Sequence, residues 1–392
     1  MSPSHRRRVR GGAAVARGEA GCLFKPALLC KGDTVRDPNA VSKMSLKQSS
    51  DDEFAATQRL RDVVTRIPYS ERYFVVPLWQ CTPAPLDADD LAGVDRSCNG
   101  WRGPLRVSQA ILNRNRKDYR IIQMADGGLD FFRAAEDARQ DWSLPAVFTA
   151  MCDLLEHGIA PLNAAGVLHF DIKNDNVVFD GSHVRLIDWD HAVFIDDFVN
   201  DPPRTPSAST RFTTMIGKPV SYGFHDSGFF KLVRDYENEP NGVFADVIMS
   251  KVSRLHKDAE NDVADLCKVR VNSSFLRTQV LSMLREFRRR LPDGTWGWDR
   301  ERYVELLQRN YDVYGWCTLM LDILLDSEAL FVPADFERLL DSGVLDQLTA
   351  GLKQYVYSPF LLTLPFNISH LVHFVRKWIK LVFPRPKRRR QR

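Results

Sequence analysis

The feature that most constrains this chain is a polar run at its centre, Gly166-Val-Leu-His-Phe-Asp-Ile-Lys-Asn-Asp-Asn-Val-Val-Phe-Asp180, which holds Asp171, Lys173 and Asn176 within six residues. Asp188 follows Asn176 by twelve residues, inside Leu186-Ile-Asp-Trp-Asp190. Asn-Asp-Asn alone is an ordinary turn. Two such motifs in this order, after a long amphipathic helix, are poorly explained as a chance hairpin. Carboxylate and amide oxygens are hard donors of the kind that suits Mg²⁺.

Phosphoryl transfer asks little covalent chemistry of a protein. It needs an aligned hydroxyl, neutralised phosphate oxygens and bound metal. Asp171 has the chemistry to accept a hydroxyl proton, and Lys173 to sit against a γ-phosphate. Asn176 suits a metal through its amide oxygen, and Asp188 suits a bridge from magnesium to phosphates.

Short β-like pieces, Cys22-Leu-Phe24 and Asn39-Ala-Val-Ser42, precede a helical stretch over 51–64. Tyr73-Phe-Val-Val-Pro-Leu78 reads as a strand, and 79–103 as a Pro, Asp and Gly-rich loop. Tyr119-Arg-Ile-Ile-Gln-Met124 is strand-like and stops at Gly127-Gly128. Beyond the glycines Leu144, Val147, Met151, Leu154, Leu155, Ile159 and Leu162 keep one helical face. A β-rich first part, a short glycine connector and a helical second part suggest two lobes with a cleft between them.

His169-Phe-Asp-Ile-Lys-Asn-Asp-Asn176 resembles the protein-kinase catalytic loop, H-R-D-L-K-x-x-N. Asp188-Trp-Asp190 stands where that family has D-F-G. Asp312-Val-Tyr-Gly-Trp316 is similar to its D-V-W-S-x-G helix, whose aspartate braces the catalytic loop. The resemblance implies an α+β, bilobal protein-kinase-like fold with a small β-rich N-lobe and a larger helical C-lobe. Its boundaries are a basic tail over 1–15, the N-lobe over 16–122 and the C-lobe over 123–383. A basic tail closes the chain over 384–392. An insertion of about 230–300 follows the metal-binding Asp motif.

More narrowly, Gly21-Cys-Leu-Phe-Lys-Pro-Ala27, Val41-Ser-Lys43, Tyr73-Phe-Val-Val-Pro77 and Lys218-Pro-Val-Ser-Tyr-Gly223 resemble serine/threonine kinases of large nucleocytoplasmic DNA viruses. The implied activity is transfer of the ATP γ-phosphate to serine or threonine of a protein, with Mg²⁺.

The same resemblance places a glycine-rich loop at Ala16-Arg-Gly-Glu-Ala-Gly-Cys-Leu23, where Gly18 and Gly21 approach phosphates. Lys43 is the expected phosphate-binding lysine, with Lys25 as its rival. Its carboxylate partner is expected at Glu53, with Asp51 and Asp52 close by. Ile122 falls at the gatekeeper position, and adenine is expected on backbone groups of Gln123 and Ala125.

Departures from the family pattern are instructive. Phe170 replaces the arginine that answers a phosphorylated activation loop, so activation by loop phosphorylation is not expected. Asp190 replaces a glycine. Asp188 and Asp312 lie 124 positions apart, with no A-P-E motif between them; 218–230 is expected in its place, and 275–291 as an inserted amphipathic helix. Two further readings stay open: a small-molecule phosphotransferase of the aminoglycoside or choline kinase type, and a pseudokinase scaffold.

The net charge is +4, yet Arg6, Arg7, Arg8, Arg10, Arg385, Lys387, Arg388, Arg389, Arg390 and Arg392 supply ten cations at the ends, so the rest carries 4 − 10 = −6. Such tails are solvated or serve as nuclear-import or anion-binding segments. No specific nucleic-acid partner is implied. The seven scattered cysteines form no CxxC pair and read as reduced intracellular thiols, in host cytoplasm, nucleus or virion if the protein is viral. No signal peptide or membrane span is expected. Ile368, Leu371, Val372, Val375, Ile379 and Val382 instead mark an amphipathic helix packed on the body.

Overall fold

The structure is a computed structural model that describes residues 13–17, 21–92, 94–98, 109–136, 140–200, 241–243, 245–246, 277–278, 281, 285–356 and 364–384. The chain divides into two compact units, Met1–Arg66 with Phe74–Gly128, and Ile67–Tyr73 with Leu129–Arg392.

The first unit is an antiparallel five-stranded sheet. Its strands are β1 (Ala13–Arg17), β2 (Gly21–Lys25), β3 (Ala40–Leu46), β4 (Trp79–Cys81) and β5 (Tyr119–Ala125), in the order β1-β2-β3-β5-β4. One long helix, α1 (Lys47–Val64), connects β3 to the return segment. Ser50, Thr57, Leu60 and Val64 make its buried stripe, as helical spacing demands. Cys22, Phe24, Leu28, Met44, Leu86, Leu112, Tyr119 and Ile121 fill the core.

Two sequence expectations do not hold in this unit. The strand expected over 73–78 lies instead at Trp79–Cys81, where β4 pairs with Gln123, Ile122 and Ile121. Arg61 of α1 donates to the Leu78 carbonyl at 2.7 Å, holding the residue that leads into β4. The stretch read as a loop thus begins with a strand and also carries a short helix, α2 (Val94–Ser97). The cysteines are the second correction. Cys22 bonds to Cys98 and Cys30 to Cys81, at sequence separations of 76 and 51. Only the folded sheet brings such distant residues together, so no local spacing announces them. Cys152 and Cys317 are free and buried.

The second unit is mainly helical. The short strand β6 (Leu129–Asp130) and α4 (Phe131–Glu136, after the short α3 of the first unit, Gln109–Arg114) lead to α5 (Leu144–Asp153). The helix widens to a π turn at Leu154–Ile159 and closes with α6 (Ala160–Ala164). Leu144, Val147, Met151, Leu154, Leu155, Ile159 and Leu162 are all fully buried, so the apolar face runs through the π turn. Gly158 permits that turn to sit on Tyr73, because a Cβ there would lie 2.9 Å from the Tyr73 Cβ.

Next come β7 (Val167–Leu168), β8 (Val177–Phe179), β9 (Val184–Leu186) and β10 (Val193–Phe194), followed by α7 (Ile195–Asn200). β8 and β9 form a hairpin that also pairs with β6, while β7 pairs with β10. A second hairpin joins β11 (Arg288–Arg290) and β12 (Trp296–Trp298). The helix expected over 275–291 therefore ends as a strand. Residues 277–278, 281 and 285–287 are helical, as expected, and the rest of that stretch up to 284, with Gly18, the 218–230 segment, 1–12 and 385–392, lies outside the described residues. The expected tail over 1–15 ends sooner, because β1 begins at Ala13.

The central helix α8 (Arg300–Leu325) is capped by Asp299, whose carboxylate accepts the Arg302 N–H. Its indole at Trp316 donates to the Met151 carbonyl at 2.9 Å, tying α8 to α5. Then α9 (Ser327–Leu330), α10 (Pro333–Asp341), α11 (Val344–Val356) and α12 (Ile368–Val382) complete the unit. α12 buries Leu371, Val372, Val375, Ile379 and Val382, and Arg376 bonds Asp153 and Glu156 at 2.7 Å each, so it packs on the body. No described helix is long and apolar enough to cross a membrane.

The strand order with its single long helix, and the helical unit carrying the β8–β9 hairpin, make this an α+β protein-kinase-like fold. A disulfide typically contributes about 2–4 kcal/mol. Reduction, or the paired change Cys22→Ser with Cys98→Ser, should lower the melting temperature of the protein. Non-reducing thiol titration of the denatured chain should find four cysteines protected; seven reactive thiols would contradict both bridges.

Candidate active site

The polar run lies in the second unit, between β7 and β8. Asp171 is 8% exposed and Asn176 4%. The Asn176 amide nitrogen donates to the Asp171 carboxylate at 2.7 Å and to the Asp171 carbonyl at 2.9 Å. That nitrogen is thereby committed, and the amide oxygen is the atom left to meet a cation. Lys173 bonds the same carboxylate at 2.9 Å and reaches Asp175 at 3.6 Å. Partial burial pulls the Lys173 pKa down, but these two carboxylates outweigh it and raise the pKa, so the ammonium stays charged.

Asp188 arrives by way of the hairpin. Leu186 stands opposite Val177, and the Ile187 N–H donates to the Asn176 carbonyl at 3.0 Å. The ladder therefore delivers Asn176 and Asp188 to the same end of the hairpin. Asp188 is exposed and left-handed, with φ of 60°. An amide oxygen and a carboxylate are the hard donors a magnesium ion takes, so the residues present fit that ion. Among the described residues no three His, Cys, Asp or Glu gather into a metal cluster.

The loop is held from behind by α8. The Asp312 carboxylate accepts the His169 N–H at 2.8 Å and the Phe170 N–H at 3.0 Å. The Asn163 amide, turned with nitrogen toward it, donates to the same carboxylate at 2.8 Å. Burial lifts the Asp312 carboxyl to about 7, against the pull of its two backbone donors. His169 is fully buried, which lowers its pKa. Its Nδ1 accepts the Asp171 N–H and its Nε2 donates to the Ile187 carbonyl at 2.9 Å, so one neutral ring ties the loop to the Asp188 segment. The His169 ring also lies 4.7 Å from that of Trp189.

In the first unit, Lys43 on β3 pairs with Glu53 on α1 at 2.9 Å, both largely buried. Lys25 pairs with Asp126, Asp51 accepts from Gln80, and Asp52 from Gln48. Gly21 packs so closely on β3 that a Cβ would sit 2.8 Å from the Met44 carbonyl, so strand contact already requires a glycine there.

Gln123 is not available in the way the resemblance implied. It lies inside the ladder between β3 and β4, its carbonyl accepts the Leu78 N–H at 2.8 Å, and its side chain donates to the Leu28 carbonyl. Three residues on, the Asp126 N–H donates to the Asn39 carbonyl on the β3 side, so antiparallel alternation turns the N–H and C=O of Ala125 to the other side, at a level that β4, beginning at Trp79, does not reach. Lys43 faces Ile122 in the register, and Val41 faces Met124.

Tyr311 was the residue that motif reading missed. Its hydroxyl donates to the Phe170 carbonyl at 3.2 Å, and its only sequence signal is adjacency to Asp312.

No family model matches the chain, and no curated protein does. Solved structures that match include vaccinia related kinase 3, at 11% identity over 90% of each chain with a TM-score of 0.34. Another is a kinase domain, at 10% identity over 94% of each chain with a TM-score of 0.38. Similarity at this level carries no information about chemistry.

The raised Asp312 pKa has a consequence for stability. From pH 3.8 to about 7 the folded protein keeps a proton on this carboxyl that the unfolded chain has released. Its contribution is fully present below the unfolded value and is lost as pH rises through that window. The wild type should lose up to about 1.4 kcal/mol per pH unit there from this group. Asp312→Asn should lack that slope in denaturant melts, and parallel pH profiles for the two proteins would contradict the assignment.

Proposed function

We propose that this chain is an ATP-dependent protein kinase that transfers the γ-phosphate to serine or threonine. The observation that carries the reading is the locked Asp171 loop, with its carboxylate between Lys173 and Asn176, its backbone on Asp312 and Asp188 brought alongside by the hairpin. The Lys43–Glu53 ion pair supports an active enzyme over a scaffold. The narrower likeness to viral kinases rests on the short sequence phrases alone.

In the proposed reaction the acceptor hydroxyl oxygen forms a bond to the γ-phosphorus and the β–γ bridging bond breaks, releasing ADP. Asp171 orients the hydroxyl and takes its proton. Lys173 stands by the transferring phosphoryl group, and Lys43 holds the other phosphates. Asn176 and Asp188 would hold Mg²⁺, which supplies neutralisation of phosphate charge when bound. Positioning and electrostatics then supply the rate. Ala125 offers backbone groups to the adenine, with Met124 instead of Ile122 bordering the base.

Purified protein with radiolabelled ATP and a basic protein acceptor tests this. Label should appear on phosphoserine or phosphothreonine, and Asp171→Asn should cut turnover roughly 10²–10⁴-fold with nucleotide affinity kept. Asp188→Ala should abolish the magnesium dependence of ATP binding. Label on small alcohols alone would move the protein to small-molecule phosphotransfer, and magnesium-dependent binding without turnover would make it a scaffold.

A further inference from the structure

Phe170, the residue before Asp171, has φ of 67°. A bulky side chain rarely adopts that left-handed conformation, so the surroundings must hold it there. The holding groups come from two consecutive residues of α8. Asp312 accepts the Phe170 N–H, and the Tyr311 hydroxyl donates to the Phe170 carbonyl. The Phe170 ring lies on the Tyr311 ring, with centroids 4.0 Å apart and planes within 10°. Both residues are buried. The N–H, the carbonyl and the side chain of residue 170 are thus all fixed by one point on a helix more than 140 residues away.

The hydrogen bonds and the ring stack act on the same residue. Asp312 and the Tyr311 hydroxyl restrain the two peptide groups, but rotation about Phe170 also swings its side chain. A ring clamped flat on another ring narrows the directions open to that side chain, and with them the backbone settings open to Phe170. The next residue is Asp171, whose carboxylate direction follows from that setting.

We propose that Phe170 and Tyr311 form an aromatic brace, two positioning residues whose stack keeps residue 170 left-handed and so aims the Asp171 carboxylate. The inference rests on the proposed role of Asp171 as the group that orients the acceptor. The two rings are uncharged and act beside the Asp312 carboxylate that accepts the Phe170 N–H.

The test combines kinetics with amide hydrogen exchange on the full chain. Phe170→Leu fills the space but cannot stack. It should lower kcat about tenfold or more, because small misplacements of a reacting group are costly. KM for ATP should stay within about twofold, since the brace does not act on nucleotide binding. Exchange at the amides of 169–171 should rise. Phe170→Tyr restores a ring and should recover most of kcat. Tyr311→Leu should reproduce the Phe170→Leu loss, and the double variant should cost no more than the worse single change, the mark of one shared contact.

A purely structural role would instead lower the melting temperature and the active fraction, with kcat per folded molecule intact. That result, or unchanged exchange at 169–171 in Phe170→Leu, would overturn the brace. Absence of phosphate transfer by the wild type would sink the kinase reading, while the exchange comparison would still decide whether the two rings hold the loop.

Discussion

One buried carboxylate organises the second unit. Asp312 sits on the central helix, and it accepts two successive backbone N–H groups from a loop that precedes it by more than 140 residues. A buried carboxylate is costly unless its lone pairs are occupied, and buried amides are costly unless accepted. Each side therefore needs the other. The contact fixes where α8 meets the loop, and from that point His169 reaches Ile187, Asn176 reaches Asp171, and Asp188 follows along the hairpin. The chemistry proposed for the site inherits its geometry from this one structural bond.

The loop's local order is set in the same way. Asn176 and Lys173 converge on Asp171 because a tight turn folds residues two and five positions on back toward it. Each of these partners has a second capacity. Asn176 keeps its amide oxygen, and Lys173 keeps a charge stabilised by two carboxylates. The three side chains are thereby held against one another.

The fold was legible in the sequence where the signal was local. The Asp171-Lys173-Asn176 spacing, the apolar face of α5 and the stripe of α12 are short-range patterns, and each has its counterpart in the structure. Lys43 and Glu53 could be paired from ten residues' separation because β3 feeds directly into α1. Legibility failed where pairing across the sheet decided the outcome. Apolar content pointed to 73–78 as a strand, but hydrogen bonding to β5 selected Trp79–Cys81. Gln123 looked available because register along β5 is invisible in one sequence, and the ladder extends to Ala125. The disulfides escaped for the same reason, since their partners are neighbours only in the folded sheet. Tyr311 escaped because a buried aromatic next to Asp312 reads as core, and its contact with Phe170 appears only in the fold.

The proposed reaction needs Asn176 and Asp188 to share one divalent cation beside Asp171. Anomalous scattering from crystals grown with Mn²⁺ and a non-hydrolysable ATP analogue locates that ion directly. A single strong peak within about 2.2 Å of the Asn176 amide oxygen and an Asp188 carboxylate oxygen is the predicted result, given the short bonds such cations make to oxygen. Manganese bound with the nucleotide at any other set of side chains would contradict it.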